Sequence, residues 1–399
     1  MTDAYTLEYR PATIRHGSGV VADLGAELDR LNRSRALVVT SSTVGSTPGV
    51  IEPVTAGPGE RLVGVFDEVS AAKRVGTAAR AAELVHEQRA DALIALGGGS
   101  SLDTAKVVSV LAAHDDPRAA AERMAAAEAM EVPDGELTDI VAVPTTLPGA
   151  DLTQVAGVTY GMDDDVPAEQ QPSGGVGDPR LMPAVVFHDP ALLTETPNGV
   201  LARSAMNGFD KGIEMLYARE HTPITDGVAV RGLRLLQGSL AELPDGASED
   251  ALSDALRGVA CVQYGVSTPR AFRVSIIHSF GHALSGHYPI QQGVAHAIAA
   301  PHVLRYLFDR VDGRRALLAE AFDIDAEGSV AKAEAIVEAV AEVRDGLGLP
   351  SRLRDVEAAE PSDFPELATA VVEDSFMAAA PAGLDAEPDG IETVFEAMW

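Results

Sequence analysis

The chain is short of cysteine, of lysine and of long apolar runs, and these shortages exclude whole classes of protein. Cys261 is the single cysteine among 399 residues, which excludes an internal disulfide and any zinc or iron–sulfur site built from cysteines. No apolar run reaches the roughly 20 residues of a membrane-spanning helix. Residues 1–5 carry neither the basic region nor the apolar core of a secretory signal. We therefore expect a cytoplasmic protein that does not enter a membrane.

Positive charge is scarce as well. The chain has 60 acidic and 30 basic residues, a formal net charge of −30, and such a charge repels nucleic acids and anionic lipids. The acidic residues are mostly dispersed, and molar salt screens self-repulsion of this kind. We expect a halophilic protein with neither a nucleic-acid nor a membrane partner. Only four basic residues are lysines, namely Lys73, Lys106, Lys211 and Lys332.

Two patterns divide the chain. In the first part, short apolar runs alternate with helical patterns, which is typical of a parallel sheet covered by helices on both faces. After about Asp189 the strand patterns stop, and helical segments follow as far as residue 346. We predict an α/β nucleotide-binding domain over 1–190 and an all-helical domain over 191–399. The stretch 161–180, rich in glycine, proline and acid, is either a mobile lid or a surface excursion. The apolar runs are 36–40, 62–66, 93–96, 140–143 and 184–187.

Residues 91–106 have the pattern of a buried strand, a turn of three glycines and the start of a helix. Gly97, Gly98 and Gly99 permit positive φ and a close backbone approach, and Ser100 adds a hydroxyl at the helix N-terminus. The unpaired N–H groups and the dipole at that end of a helix favour an anion. The spacing matches neither the dinucleotide fingerprint nor the Walker pattern. We predict that this glycine turn (Gly97–Gly99) binds a phosphate group.

Two further segments carry polar chemistry. Thr145 and Thr146 directly follow a predicted strand, and hydroxyls at the carboxyl edge of an open α/β sheet can reach a cofactor. In a histidine-rich stretch over 278–302, His278 and His282 share one helix face because they are four residues apart. Histidine titrates near neutral pH, so both are candidates for proton transfer.

Together, the residues from Gly97 to Lys106, the threonine pair and the histidine stretch resemble the iron-containing alcohol dehydrogenase family. The fold of that family is similar to that of dehydroquinate synthase, and the resemblance covers roughly residues 10–310. It implies that the glycine turn holds the pyrophosphate of NAD or NADP, and that Asp103, Thr145 and Thr146 lie along this cofactor. It also implies a small-molecule substrate and a homodimer.

The resemblance also locates the family's metal ligands, an aspartate and a histidine on one helix and two later histidines. Aligned on a shared Ile-Glu pair, these positions hold Asn207, Lys211, His278 and Gln292 here. Amides are weak ligands, and a lysine ammonium has no lone pair. We infer that the usual iron or zinc site is lost. With Asn207 at the first ligand position, this helix also resembles that of the maleylacetate reductases, a metal-free branch of the superfamily.

A shifted register gives a different ligand set. It would pair Asp210 and Glu214 with His278 and His282, a combination of oxygen and nitrogen ligands that suits a metal ion. The alternative function is then a metal-dependent alcohol or polyol dehydrogenase. A lyase similar to dehydroquinate synthase is a less favoured alternative.

The main prediction is an NAD(P)-dependent oxidoreductase that transfers hydride between nicotinamide and a small carbonyl, enone or alcohol substrate. Lys211, His278, His282 and Asn207 are its predicted catalytic residues, with the Lys211 charge in the place of the metal that would polarise a carbonyl. Ser41 is expected at the cofactor. Because Thr40-Ser41-Ser42 lacks the acid that often favours NAD in this family, NADP is allowed. An anionic substrate would find its partners among Arg180, Arg203, Arg270 and Arg273.

Overall fold

The computed structural model describes residues 7–8, 12–163, 165–167, 170–268 and 271–399. These residues form two compact units. The first is an α/β unit over 12–196, and the second is a helical unit that comprises 7–8 and the described residues from 197 to 399. The predicted fold class, an α/β domain followed by a helical domain, is confirmed.

A six-stranded parallel sheet forms the centre of the α/β unit. Its strands are β1 (Thr13–His16), β2 (Ala36–Ser41), β3 (Leu62–Val69), β4 (Ala92–Gly97), β5 (Asp139–Pro144) and β8 (Val185–His188). Their order across the sheet is β1, β8, β5, β4, β2, β3, with every neighbouring pair parallel. Strand β4 is buried throughout and β5 is buried from Ile140 onwards, as expected for apolar strands covered on both faces.

Helices connect these strands and cover the sheet. They are α1 (Leu24–Arg30), α2 (Ser42–Gly45), α3 (Pro48–Ala56), α4 (Val75–Gln88), α5 (Gly99–Leu111), α6 (Pro117–Ala127) and α7 (Pro190–Leu193). Because the strands are parallel, the segments that follow their carboxyl ends gather at one edge of the sheet. The glycine turn, the threonine pair and the start of α2 therefore share that edge.

A small antiparallel ribbon departs from the predicted pattern. It consists of β6 (Val155–Thr159) and β7 (Ser173–Gly177), paired from Val155 with Gly177 to Thr159 with Ser173. Part of the stretch 161–180 thus has regular structure, although its glycine and proline content predicted only a loop. Cross-strand hydrogen bonds with β6 supply the order that the local sequence does not.

Helices α8–α16 form the helical unit. They are α8 (Asn198–Tyr217), α9 (Pro223–Leu240), α10 (Glu249–Val266), α11 (Ile276–His287), α12 (Gln292–Arg310), α13 (Arg315–Ala321), α14 (Ser329–Gly346), α15 (Phe364–Glu373) and α16 (Pro388–Met398). Two-residue strands β9 (Ser267–Thr268) and β10 (Ala271–Phe272) add a short ribbon that the all-helical prediction lacked. Helices α15 and α16 lie within the predicted all-helical domain, but no individual helix was predicted after residue 346, because the tail after Pro350 is acidic and rich in proline.

Glycine allows two of these helices to pack closely. A Cβ on Gly232 of α9 would lie 2.9 Å from the Gly258 carbonyl oxygen, and one on Gly258 of α10 would lie 3.1 Å from that of Gly232. Backbones can approach this closely only where no side chain intervenes. None of the helices in the described ranges has both the length and the apolar character needed to cross a bilayer.

Candidate functional site

The glycine turn joins β4 to α5 in the predicted way. Gly97 has φ of +130°, and a Cβ there would lie 2.8 Å from Ser101 Oγ, so a larger residue would be both strained and crowded. Gly98 is the N-cap of α5 and, being a glycine, has no side chain that could cap the helix. The first N–H groups of α5 thus lack a side-chain cap, which suits an incoming anion. Ser100 lies in the first turn of the same helix.

The threonine pair packs against this turn. Thr145 N donates a hydrogen bond of 3.0 Å to the Gly97 carbonyl, which joins the ends of β5 and β4. Thr146 Oγ1 is buried, has no hydrogen-bond partner within the described chain, and lies 3.2 Å from the position of a Cβ on Gly98. A buried hydroxyl without a partner costs free energy unless a ligand or water satisfies it. This hydroxyl therefore points to a polar ligand at the turn.

Two polar residues of α5 have protein partners. Asp103 accepts hydrogen bonds from Lys73 Nζ at 3.1 Å and from Gly157 N at 3.2 Å, so its carboxylate is tied to the β6 ribbon. Lys106 is fully buried and donates to the carbonyls of Ala150 and Val155 and to Thr153 Oγ1. Burial lowers the pKa of Lys106 to about 8. The hydrogen bonds of Asp103 with Gly157 and of Lys106 with Ala150, Thr153 and Val155 fix α5 to the segment that follows the threonine pair.

In the helical unit, α8 carries four buried polar side chains. Asn207, Asp210, Lys211 and Glu214 are spaced by three or four residues and so share one face of the helix. Asp210 and Glu214 are completely buried, and Lys211 is 8% exposed. Buried charges are rare unless they serve a partner or a function. The sequence predicted all four as site residues, Asp210 and Glu214 only for the alternative metal set.

Glu214 caps the N-terminus of α11. Its Oε1 accepts hydrogen bonds from the backbone N–H groups of Ile277 at 2.7 Å and of His278 at 3.2 Å, in the first turn of α11. Its Oε2 bonds His278 Nδ1, and the Tyr217 hydroxyl donates to Oε1 at 3.2 Å. Burial nevertheless raises the pKa of Glu214 to about 7. A carboxylate from α8 thus satisfies the N-terminus of α11 and fixes the His278 ring.

A second acid and a second histidine complete what we call the acid–histidine cluster (Asp210, Glu214, His278, His296). His296 Nδ1 lies 3.4 Å from Asp210 Oδ2, and the rings of His296 and His278 have centroids 4.3 Å apart. Burial raises the pKa of Asp210 well above its usual range and lowers that of His296 to about 3. Burial, followed by the charges of His296 and Lys211, lowers the pKa of His278. Burial therefore favours the uncharged form of all four residues.

Glycine makes room for the second histidine. A Cβ on Gly281 of α11 would lie 2.1 Å from His296 Nε2. His296 and Asp210 are completely buried, and neither the His296 nitrogens nor the Asp210 oxygens have a well-aligned hydrogen bond within the described residues. The His278 Nε2 atom is likewise buried and has no hydrogen-bond partner among the described residues. The cluster thus has hydrogen-bonding capacity that the described residues leave unused, at completely or almost completely buried positions.

His282 has a different partner. Its Nδ1 lies 2.8 Å from Asp374 Oδ2, and its ring packs on Phe376 with centroids 4.7 Å apart. Asp374 also accepts a hydrogen bond of 2.7 Å from Phe376 N, and the His282 hydrogen bond contributes to a lowered pKa of Asp374 despite its burial. The His282 side chain is 38% exposed. This histidine is oriented by a carboxylate and remains accessible.

The donor set at the family's metal positions does not suit a divalent cation. Asn207, Lys211, His278 and Gln292 offer two neutral amides, one imidazole and one ammonium, and only the imidazole is a strong ligand. Besides burial, which is the main cause, the Lys211 charge contributes to the lowered pKa values of His278 and His296, so this ammonium itself repels a cation. Within the described ranges, no group of three or more His, Cys, Asp and Glu side chains is arranged to hold a metal ion. In the alternative set, His282 is turned to Asp374 and the other three residues belong to the cluster.

The arginines suggested for an anionic substrate have protein partners. Arg180 forms two hydrogen bonds with the Asp178 carboxylate and two with backbone carbonyls. Arg273 is buried and donates to the carbonyls of Glu220 and Gly265 and to Thr268 Oγ1. Arg203 donates to Gln291 Oε1 at 2.9 Å. Arg270 lies outside the described residues. The Arg180 and Arg273 contacts stabilise the fold and leave no evident anion site.

Sequence reasoning missed two parts of this arrangement. The sequence analysis selected only His278 and His282 from the histidine-rich stretch and so omitted His296, and it singled out neither Asp374 nor Phe376. Asp374 lies 92 residues beyond His282, so no local spacing links the two. One signal was available for His296: Gly281 lies three residues after His278 and so shares its face of α11, and a glycine inside a helix permits the close approach of another side chain.

Two family models together match almost the whole chain. They are described as iron-containing alcohol dehydrogenase, over residues 11–190, and as the C-terminal part of the Fe-containing alcohol dehydrogenase family, over residues 201–399. The NAD-dependent methanol dehydrogenase of Bacillus methanolicus is 27% identical over 343 residues, which cover 84% of this chain and 85% of the relative. Maleylacetate reductase 1 of Cupriavidus pinatubonensis is 24% identical over 392 residues, 98% of this chain and 96% of the relative. Maleylacetate reductase is therefore one of several relatives at similar distance.

Solved structures have the same fold. The alcohol dehydrogenase from Oenococcus oeni superposes with a TM-score of 0.87 at 23% identity, over 99% of this chain and 100% of that one.

Proposed function

Since the chain belongs to the iron-containing alcohol dehydrogenase family, we propose that it is a metal-independent, NAD(P)-dependent oxidoreductase acting on a small carbonyl, enone or alcohol. The observation that carries this proposal is the burial of Lys211, whose position the resemblance aligns with a metal-ligating histidine of the family. Relatives named for methanol, lactaldehyde and maleylacetate support this range of substrates.

The nucleotide is assigned to the α/β unit. Backbone N–H groups at the start of α5 bind the pyrophosphate, and the glycine turn provides the close approach. The buried Thr146 hydroxyl, which lacks a partner within the described chain, supplies a further hydrogen bond. A bound nicotinamide nucleotide supplies or accepts the hydride. The NAD-dependent methanol dehydrogenase among the relatives supports this choice of cofactor.

Lys211 is assigned to the charge that develops on the substrate oxygen. When a carbonyl carbon accepts hydride, its π electrons move to the oxygen, and a nearby positive charge stabilises that oxyanion. Low solvent exposure strengthens such an interaction because the local dielectric is low. The Asn207 amide donates a hydrogen bond to the same oxygen.

The histidines are assigned to proton transfer and orientation. His282 is held through Nδ1 by Asp374, so its Nε2 is the nitrogen that gives the oxyanion a proton and yields the alcohol. His278 is bound by Glu214 through Nδ1 and kept uncharged by burial, so its Nε2 orients the substrate by hydrogen bonding.

Titration of the purified protein with NADH and NADPH, followed by turnover assays with small aldehydes, ketones and enones, tests this function. We expect saturable nucleotide binding, and nucleotide oxidation that depends on substrate and is unchanged by EDTA. Activity that is abolished by EDTA and restored by iron or zinc would establish the metal-dependent alternative. Nucleotide binding without net consumption would favour the lyase, and no binding at all would refute an oxidoreductase.

A further inference from the structure

The end of β2 is rich in hydroxyl groups and lies beside the glycine turn. Ser41 Oγ accepts a hydrogen bond of 3.3 Å from Val44 N and so caps the short helix α2. A Cβ on Gly97 would lie 3.7 Å from Val44 Cγ2. Helix α2 therefore borders the glycine turn on the β2 side, at the carboxyl edge of the sheet.

An irregularity in the next strand places a carboxylate against α2. Val39 pairs with Phe66 and Ser41 pairs with Val69, so two β3 residues, Asp67 and Glu68, lie opposite one residue of β2. A Cβ on Gly45 of α2 would be 3.0 Å from Asp67 Cβ and 3.5 Å from Asp67 Oδ2. The Asp67 side chain thus rests against α2.

The two acids have different surroundings. Glu68 accepts a hydrogen bond of 3.0 Å from Arg80 Nε of α4. Asp67 is exposed and forms neither a hydrogen bond nor an ion pair through its carboxylate with any described residue. Its charge is therefore available to a ligand at the end of β2, whereas that of Glu68 is already compensated.

The position of Asp67 matters because of how nucleotides bind to open α/β sheets. When the pyrophosphate lies at a glycine turn, the adenosine ribose extends over the neighbouring strand, where a carboxylate accepts hydrogen bonds from its hydroxyls. The strand next to β4 on this side is β2, and it ends in hydroxyl residues. We propose that Asp67 supplies the missing carboxylate from β3, binds the ribose 2′-hydroxyl and repels a 2′-phosphate. The inference rests on the proposed function and selects NAD over NADP.

The β2 sequence alone allows NADP, whereas the Asp67 carboxylate disfavours it. A 2′-phosphate carries about two negative charges near neutral pH, and at a separation of several ångströms a carboxylate costs it well over tenfold in affinity. A ribose hydroxyl, in contrast, gains a charge-assisted hydrogen bond. We therefore expect the wild-type protein to bind NADH at least about tenfold more tightly than NADPH.

Fluorescence titrations of wild type, Asp67→Asn and Glu68→Gln with NADH and NADPH, all at one salt concentration, test the inference. Asp67→Asn keeps the size of the side chain and removes its charge, and we expect the NADPH-to-NADH ratio of Kd to fall by about tenfold or more. Glu68→Gln removes the neighbouring charge and should leave that ratio within about twofold of wild type.

Three outcomes would overturn the inference. Wild-type protein that prefers NADPH would do so, and so would an Asp67→Asn ratio equal to that of wild type, although in both cases the proposed function stands. Absence of binding by either nucleotide would remove the proposed function together with this inference. A thermal unfolding midpoint of Asp67→Asn that matches wild type ensures that a changed ratio reflects the nucleotide site.

Discussion

His282 Nδ1 lies 2.8 Å from Asp374 Oδ2, and this contact joins α11 to the segment that follows α15. A carboxylate in this position fixes both the ring orientation and the tautomer of a histidine. Since Nδ1 is engaged, Nε2 is the nitrogen available for chemistry.

Asp374→Asn should therefore lower kcat more than it changes KM. We expect a loss of about tenfold or more in kcat, because an amide no longer stabilises the imidazolium form. Asp374→Glu should recover part of the loss. The matched control is Asp363→Asn, which removes an acid 3.5 Å from His287 and should leave steady-state kinetics with NADH unchanged. Equal kcat in Asp374→Asn and wild type would exclude the orienting role.

Lys211→Met tests the assigned charge directly. Because methionine retains the apolar stem and loses the ammonium, we expect kcat/KM to fall by about 10²–10³-fold. The Kd of NADH, measured by fluorescence, should change little. Lys332→Met removes one of the other three lysines and is the matched control. Turnover of Lys211→Met within about threefold of wild type would remove Lys211 from the mechanism.

Gly281→Ala tests the packing of the acid–histidine cluster. The new methyl group would lie 2.1 Å from His296 Nε2, and α11 cannot adjust without moving its neighbours. We expect the free energy of unfolding to fall by about 2 kcal/mol or more in chemical denaturation. On the same helix, a Cβ on Gly286 has no neighbour within 4 Å. Gly286→Ala should be neutral, or stabilising by up to about 1 kcal/mol, through helix propensity. Similar effects of the two substitutions would show that His296 does not need the space beside Gly281.

The pH dependence of stability should include a contribution from His302. Burial, followed by the charges of Arg305, Arg344 and Arg352, lowers the pKa of His302 to about 4. Below the ordinary histidine pKa of about 6.5, His302 binds a proton in the unfolded chain but stays unprotonated in the folded chain. Stability is therefore lost as the pH falls from about 6.5 towards 4.

His302→Asn should remove this component. Because the ring is only partly buried, we expect the variant to lose about 1 kcal/mol less than wild type between pH 7 and pH 5, roughly half the full linkage value. Urea unfolding at both pH values measures the difference. Parallel pH profiles for the two proteins would contradict the assignment.

The sequence predicted the structural elements that depend on the local pattern of residues. The strand, the glycine turn and α5 were predicted because apolar residues, glycines and a helical pattern follow one another within 91–106. The shared face of His278 and His282 follows from their spacing within α11. The presence of these elements needs no information from distant parts of the chain.

The contacts of the cluster could not be predicted in the same way, because they are long-range; only the alternative ligand set grouped Asp210 and Glu214 with His278. Glu214 and His278 are 64 residues apart, and nothing in the spacing of α8 indicates that a carboxylate caps α11. Likewise, the stretch 161–180 has no strand pattern, and β7 forms only because β6 offers it hydrogen bonds. The homodimer and the halophilic character stay predictions.

Lys106 has a mechanical consequence. Its ammonium group binds three oxygens of the chain between Ala150 and Val155 while its own backbone belongs to α5. Neither segment can open without breaking the bonds of a buried cation, and breaking them without water carries a large penalty. We therefore expect α5 and the segment between Ala150 and Val155 to open together, so that the nucleotide site proposed at the glycine turn is rigid before any ligand arrives.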